Sequence, residues 1–209
     1  MIGEGRSYTD ITRRAAYYFE LTPGIHTVKI MATTPDLTIQ NVQVIRTFIE
    51  NGGFENPELT TVVLTVVPPS WTQPNSLPAK IEMVDGASLG GNGVLLYESQ
   101  LVRITSNAKL TQSFILPEDG EYTLRVYVYR NANIASSSVT YTVNGGTESS
   151  PLTSSKQAGD LFEFTITGNA GTNTVVINNN LNLGGFNGPF VDDISVHDHT
   201  GMKACEFSS

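Results

Sequence analysis

One cysteine, Cys205, is all that the 209-residue chain holds. No intrachain disulfide can form, so the fold stands on its core, with or without the help of a metal ion. Charge is also scarce. Asp, Glu, Lys and Arg make up 15% of the residues, well under the roughly 25% of average soluble domains. The charge present leans acidic, 20 carboxylates against 12 Lys and Arg, for a net charge of −8. So few bases cannot neutralise a run of phosphates, which excludes a nucleic-acid partner. The same balance excludes a basic membrane-surface role. No apolar run approaches the roughly 18 residues of a membrane-spanning helix. The first residues, MIGEGRSYTDITRR, carry Glu4 and Asp10 and no apolar stretch, so they do not read as a secretion signal.

Strand periodicity fills the space that these absences leave. Hydrophobic residues reach 39%, with 19 Gly and 10 Pro among many Thr, Ser and Asn. That composition predicts an all-β protein with turn-rich connections, as one large domain or one domain plus a partial one. From Tyr17, YYFELTPGIHTVKIMATT reads as strand, Pro23-Gly24 turn, strand, with Ile25, Val28 and Ile30 as core candidates. In LTIQNVQVI, Leu37, Ile39, Asn41, Gln43 and Ile45 share one face and Val42 and Val44 the other, which leaves open the face that is buried. Asn51-Gly52-Gly53 marks a turn. ELTTVVLTVVPPSW reads as a strand stopped by Pro68-Pro69, and Ser70 to Pro78 as irregular. A Gly-rich loop covers Asp85 to Gly93, and GVLLYESQLVRIT follows as a strand. Pro117-Glu118-Asp119-Gly120 predicts a hairpin between two strong strands, and Asn169-Ala170-Gly171 predicts another. SSVTYTV ends at Asn144-Gly145-Gly146, and PFVDDISVHD supplies the last strand. About a dozen short strands spaced by turn signals predict an antiparallel sandwich or barrel.

FELTPGIHTVKIM (Phe19 to Met31) and FILPEDGEYTLRVYV (Phe114 to Val128) share a pattern of strand, Pro/Gly turn and alternating strand. Residues 1–48 therefore read as a partial sandwich, a β-strand extension that pairs with the main domain or with another subunit.

Two motifs bracket the main domain: NGGFE (Asn51 to Glu55) opens it and FVDDISV (Phe190 to Val196) closes it. With TQSFILPEDGEYTLRVYVY and LFEFTITGNAGTNTVVI between them, the span 49–198 resembles jelly-roll carbohydrate-binding modules of the cellulose- and xylan-binding type, and the wider galactose-binding-like sandwiches. The resemblance implies an antiparallel jelly-roll β-sandwich over 49–198, followed by a C-terminal tail, 199–209. It also implies a structural calcium ion tying the opening loop to the last strand. Glu55 and Asp193 occupy the matching positions, with carbonyls near Asn51 or Gly53 completing the shell; a hard cation wants several oxygen ligands. Glycan-binding members stack sugars on aromatic rings, and a tryptophan-rich segment soon follows their NGGFE. This chain has one tryptophan, Trp71, in a Pro-rich loop. Tyr127 and Tyr129 stand two apart on a predicted strand and so share a face, as a platform or as half-buried core. Trp71, Tyr127 and Tyr129 are the candidate glycan contacts.

No catalytic set assembles. There is no Gly-x-Ser-x-Gly elbow and no readable triad. Asp192-Asp193 and Glu118-Asp119 are adjacent pairs and not the facing carboxylates of a glycosidase. The loop Gly86 to Gly93 lacks the Lys and helix of a phosphate loop. His197-Asp198-His199 with Cys205 nearby reads either as a transition-metal site or as a polar tail.

The function read first is a non-catalytic structural protein of a bacteriophage virion: a head decoration or cement protein, or a tail or fibre component. A charge-poor β-sandwich without disulfide or export signal fits a protein that folds in a reducing cytoplasm and leaves by lysis. A homo-oligomer is expected, a trimer being one option, with residues 17–45 as the contact by strand addition. Its partners would be other virion proteins and surface glycans. The alternatives are a carbohydrate-binding module of a secreted, glycan-active protein and, after it, a surface adhesin or pilus subunit.

Overall fold

The computed structural model describes residues 46–57, 59, 63–74, 80–85, 100–105, 107–131, 133, 135–156, 159–179 and 188–198. The strands expected over 17–45, the Gly-rich loop after Asp85 and the tail from His199 with Cys205 lie outside these residues. The described part is all-β. Its ten strands are β1 (Val63–Leu64), β2 (Ile81–Asp85), β3 (Gln100–Ile104), β4 (Lys109–Leu116), β5 (Gly120–Tyr129), β6 (Ser137–Val143), β7 (Leu152–Ser154), β8 (Asp160–Gly168), β9 (Gly171–Asn178) and β10 (Phe190–Asp198).

They form two antiparallel sheets, ordered β1-β2-β3-β10-β5-β8 and β4-β9-β6-β7. The chain is an antiparallel jelly-roll β-sandwich. β4 shows the logic most simply: Leu110, Gln112, Phe114 and Leu116 are buried while Lys109, Ser113 and Ile115 are exposed, the alternation of a strand with one wet face. β10 lies between β3 and β5, and eight of its nine residues are buried. The core between the sheets holds Leu124, Val126 and Val128 of β5, Val191, Ile194 and Val196 of β10, and Leu110, Phe114, Val175 and Ile177 from the facing sheet.

Both predicted hairpins are corrected. The turn at 117–119 joins β4, which pairs with β9, to β5, which pairs with β10 and β8. The turn at Asn169-Ala170 likewise joins β8 of one sheet to β9 of the other. Each turn is therefore an arch across the sandwich. A strand with one apolar face buries it best against the opposite sheet, and the turn residues are the same for either course. The two arches are neighbours, with Ala170 N–H donating to Asp119 Oδ1 at 2.6 Å. The strand expected after Glu58 pairs with β2 only over Val63–Leu64 among the described residues. Pro68 and Pro69 then bring no N–H to a ladder.

The opening loop is sewn into both sheets. Gln112 of β4 accepts from Glu50 N–H and donates to Glu50 O, both at 2.8 Å. Gln100 of β3 donates to Phe54 O at 2.7 Å and to Pro57 O at 3.0 Å, and Leu59 N–H donates to its Oε1. Both glutamines are buried. Phe48, the last residue of the predicted N-terminal segment, donates its N–H to Val196 O at 2.8 Å, and its ring meets Tyr122 edge-on at 5.7 Å. Ile194 N–H donates to Gly52 O at 3.0 Å. A Cβ on Gly52 would stand 1.9 Å from Ile194 O, whereas one on Gly120 would first meet a ring atom at 3.9 Å. Gly52→Ala should therefore cost about 2 kcal/mol or more in urea unfolding, and Gly120→Ala should stay within about 0.5 kcal/mol of the parent. Equal costs for the two would show that the loop is not pinned at Gly52.

Candidate functional site

The six-stranded sheet carries a second cluster on the face turned away from the other sheet. In register, Phe190 lies between Arg103 and Tyr129, and Asp192 lies beside Tyr127. Val84 stands opposite Leu101 and Glu82 opposite Arg103. Val84, Leu101, Tyr129 and Phe190 pack together, with Tyr127 against them. Tyr127 and Tyr129, two apart on β5, lie ring to ring at 4.8 Å. Gly159, at φ 77°, sets its backbone against both rings; a Cβ there would meet Tyr127 at 2.4 Å. Tyr129 is 2% exposed and Phe190 5%, while Tyr127 is half-buried. Within this row a ligand would meet the ring of Tyr127.

Two ion pairs cross the same face. Arg103 binds Glu82 through Nε at 2.6 Å and through its terminal nitrogen at 2.5 Å, and its guanidinium lies 5.9 Å from the Phe190 centroid. Arg125, opposite Glu163 on β8, meets it at 2.9 Å. Glu163 is 43% exposed at its side chain, one step diagonally from Tyr127. The half-buried ring thus stands beside a charged pair with open solvent on the carboxylate side. An apolar ring face next to hydrogen-bonding charge suits a ligand with both C–H and O–H surfaces.

The structure places the predicted contacts differently from one another. Trp71 is 5% exposed. It packs on Phe54 at 5.6 Å and donates Nε1–H to Asn51 O at 3.2 Å, so its ring closes the core beneath the opening loop. Glu55 Oε1 accepts from Gln100 N–H at 3.1 Å. Asp193 is buried at a break in the β10 register, with φ 47°. The adjacent pair Asp192-Asp193 stands in this bulge, and Asp193 N–H donates to Asp192 Oδ1 at 2.7 Å. The segments bearing Glu55 and Asp193 meet through the Gly52–Ile194 hydrogen bond. Among the described residues no three His, Cys, Asp or Glu side chains cluster as metal ligands. Carboxylates from the loop and the bulge, joined by loop carbonyls, are donors of the kind calcium takes, not those of zinc or copper.

His197, read from sequence as metal site or tail, sits within β10 opposite Thr123 and is 2% exposed. Its Nδ1 is buried without a hydrogen-bond partner among the described residues. Burial and then Arg125 hold its pKa below the ordinary value, against the pull of Glu163, Asp198 and Asp193. The sequence also missed Phe190, the Glu82–Arg103 pair and the two clamping glutamines; only their position on register-matched strands reveals them.

No family model matches the chain, and no curated protein matches it. Solved structures do. A family 35 carbohydrate-binding module from Clostridium thermocellum is similar at 23% identity over 65% of this chain and 97% of that one, with a TM-score of 0.43. The CBM35 from Paenibacillus barcinonensis is similar at 18% identity over 65% and 98%, with a TM-score of 0.40. A Podospora anserina GH26-CBM35 β-(1,4)-mannanase matches at 16% identity over 49% of this chain and 22% of the enzyme, TM-score 0.40.

His197 generates a pH dependence. The unfolded chain takes up its proton below about 6.5, while the native state resists until a lower pH. The unfolded state thus holds more protons in that window, and stability falls as pH falls through it. Urea unfolding between pH 7 and 5 should show this loss, and His197→Gln should reduce the slope. An unchanged slope would place the titration elsewhere.

Proposed function

We propose that the sandwich is a non-catalytic carbohydrate-binding module, the reading that the sequence placed second. The observation that carries it is the half-buried Tyr127, packed at a tilt against the buried Tyr129 and flanked by the Arg125–Glu163 pair. A sugar would lay its C–H face on Tyr127 and present hydroxyls to the charged pair. Tyr129 and Gly159 hold the ring in place, so little side-chain entropy is lost on binding. Glycans are the partner in this reading. The contact expected through residues 17–45 lies outside the described residues, and the virion role and trimer remain expectations of the sequence alone.

The test is a glycan array followed by calorimetry on the full chain. Binding should appear for at least one glycan class. Tyr127→Ala should weaken it about tenfold or more, and Tyr127→Phe should keep most of it. Absence of binding across the array, or binding indifferent to Tyr127→Ala, would overturn the reading.

A structural calcium ion at Glu55 and Asp193 belongs to the same proposal. It would act as a clip between loop and bulge, with no part in the sugar contact. A ligand that binds only the native state raises its melting temperature. Removing calcium with EDTA should lower the melting temperature by several degrees, and Glu55→Gln should abolish the difference. A melt identical with and without EDTA would sink the clip.

A further inference from the structure

β8 ends the six-stranded sheet. Its nine residues pair with β5 along one edge in unbroken register, from Gly120↔Gly168 to Val128↔Asp160. Among the described residues no backbone hydrogen bond reaches its other edge. Every second N–H and C=O there points away from β5, without a backbone partner among the described residues. The other terminal strands are less available. β1 has two residues and β7 three, and β4 is bridged by Thr72 through hydrogen bonds at 2.7 and 2.8 Å with Thr111. Proteins usually blunt such an edge with lysine, proline or a bulge. β8, DLFEFTITG, has none of them.

The edge also carries apolar surface. Phe162 and Phe164 stack at 6.5 Å with their planes 4° apart, and Tyr141 of the other sheet lies 5.1 Å from Phe164. All three rings are half-buried, at the open flank between the sheets.

We propose that β8 pairs antiparallel with β8 of a second copy of this chain, about a two-fold axis at Phe164. The sequence is self-complementary in that register. Phe164 meets its own copy, Phe162 meets Ile166, Leu161 meets Thr167, Glu163 meets Thr165 and Asp160 meets Gly168. Apolar residues oppose apolar ones on the inner face, and no carboxylate opposes a carboxylate. Both carboxylates are already engaged within the chain: Asp160 by Lys156 at 2.5 Å and Ser154 at 2.9 Å, Glu163 by Arg125 at 2.9 Å. The interface is isologous and closes as a dimer. It joins the two six-stranded sheets edge to edge and turns their Tyr127 faces to the same side.

Light scattering and sedimentation of the full chain across 1–100 µM test it, as an order-of-magnitude range for such interfaces. The expected result is a concentration-dependent species of twice the 22.6 kDa chain mass. Thr165 is exposed and lies opposite the partner copy's Glu163 twice over. Thr165→Glu should therefore weaken the dimer about tenfold, and Thr165→Lys should tighten it. Circular dichroism and melting would confirm that both variants fold. A chain monomeric throughout, a trimer, or a dimer indifferent to both variants would overturn the proposal. None of these outcomes bears on glycan binding, which Tyr127→Ala reads separately.

Discussion

The structure depends on how its opening loop is held. A sandwich of two sheets has no covalent tie across its core here, and the one cysteine could not make one. The loop supplies the tie with hydrogen bonds. Gln112 grips Glu50 from the four-stranded sheet, Gln100 grips Phe54 and Pro57 from the six-stranded sheet, and Gly52 meets the β10 bulge at Ile194. Buried amides of this kind are costly unless satisfied. Both glutamines are satisfied only with this loop in place, so loop and sheets specify each other. The bulge at Asp193 then has a reason: it turns the Ile194 N–H toward Gly52 while returning Ile194 and Val196 to the core.

The fold class was legible because it is written in local pattern. Alternation in LTQSFIL and the turn residues at Pro117 and Asn169 give strands and reversals without reference to the rest of the chain. Partner choice was not legible. A reversal such as PEDG fits a hairpin and an arch equally, and the choice rests on which sheet each apolar face can reach. That is a long-range question, and β4 answers it by pairing with β9, whose residues lie more than 50 positions away. The NGGFE and FVDDISV bracket was more informative, since each motif contains a residue of the Gly52–Ile194 contact.

The candidate site was half legible. Period two put Tyr127 and Tyr129 on one face, and the structure keeps them there at 4.8 Å. Period two could not say how deep each ring sits, because depth comes from Gly159, just ahead of β8, and from Phe190 of β10, both remote in sequence. Trp71 shows the reverse error of scale. A lone tryptophan in a Pro-rich loop looks exposed, yet its indole N–H reaches Asn51 O and its ring reaches Phe54. The deciding residues lie upstream in the opening loop. The last strand was legible to its end, since PFVDDISVHD reads as a strand and β10 runs Phe190–Asp198; the burial of His197 within it was not.

Low charge links the composition to the open edge of β8. With 12 basic residues in 209, few are free to stand on sheet edges as guards against strand pairing. Among the described residues, two beside β8 are committed: Lys156 to Asp160 and Arg125 to Glu163. Those pairs also neutralise the edge's own carboxylates, which would otherwise repel an approaching acidic chain at low ionic strength. The same contacts that remove the guard therefore remove the repulsion. What remains is a regular, nine-residue ladder with two stacked phenyl rings on its inner side. Among the described edges this one combines length, regular register and apolar surface.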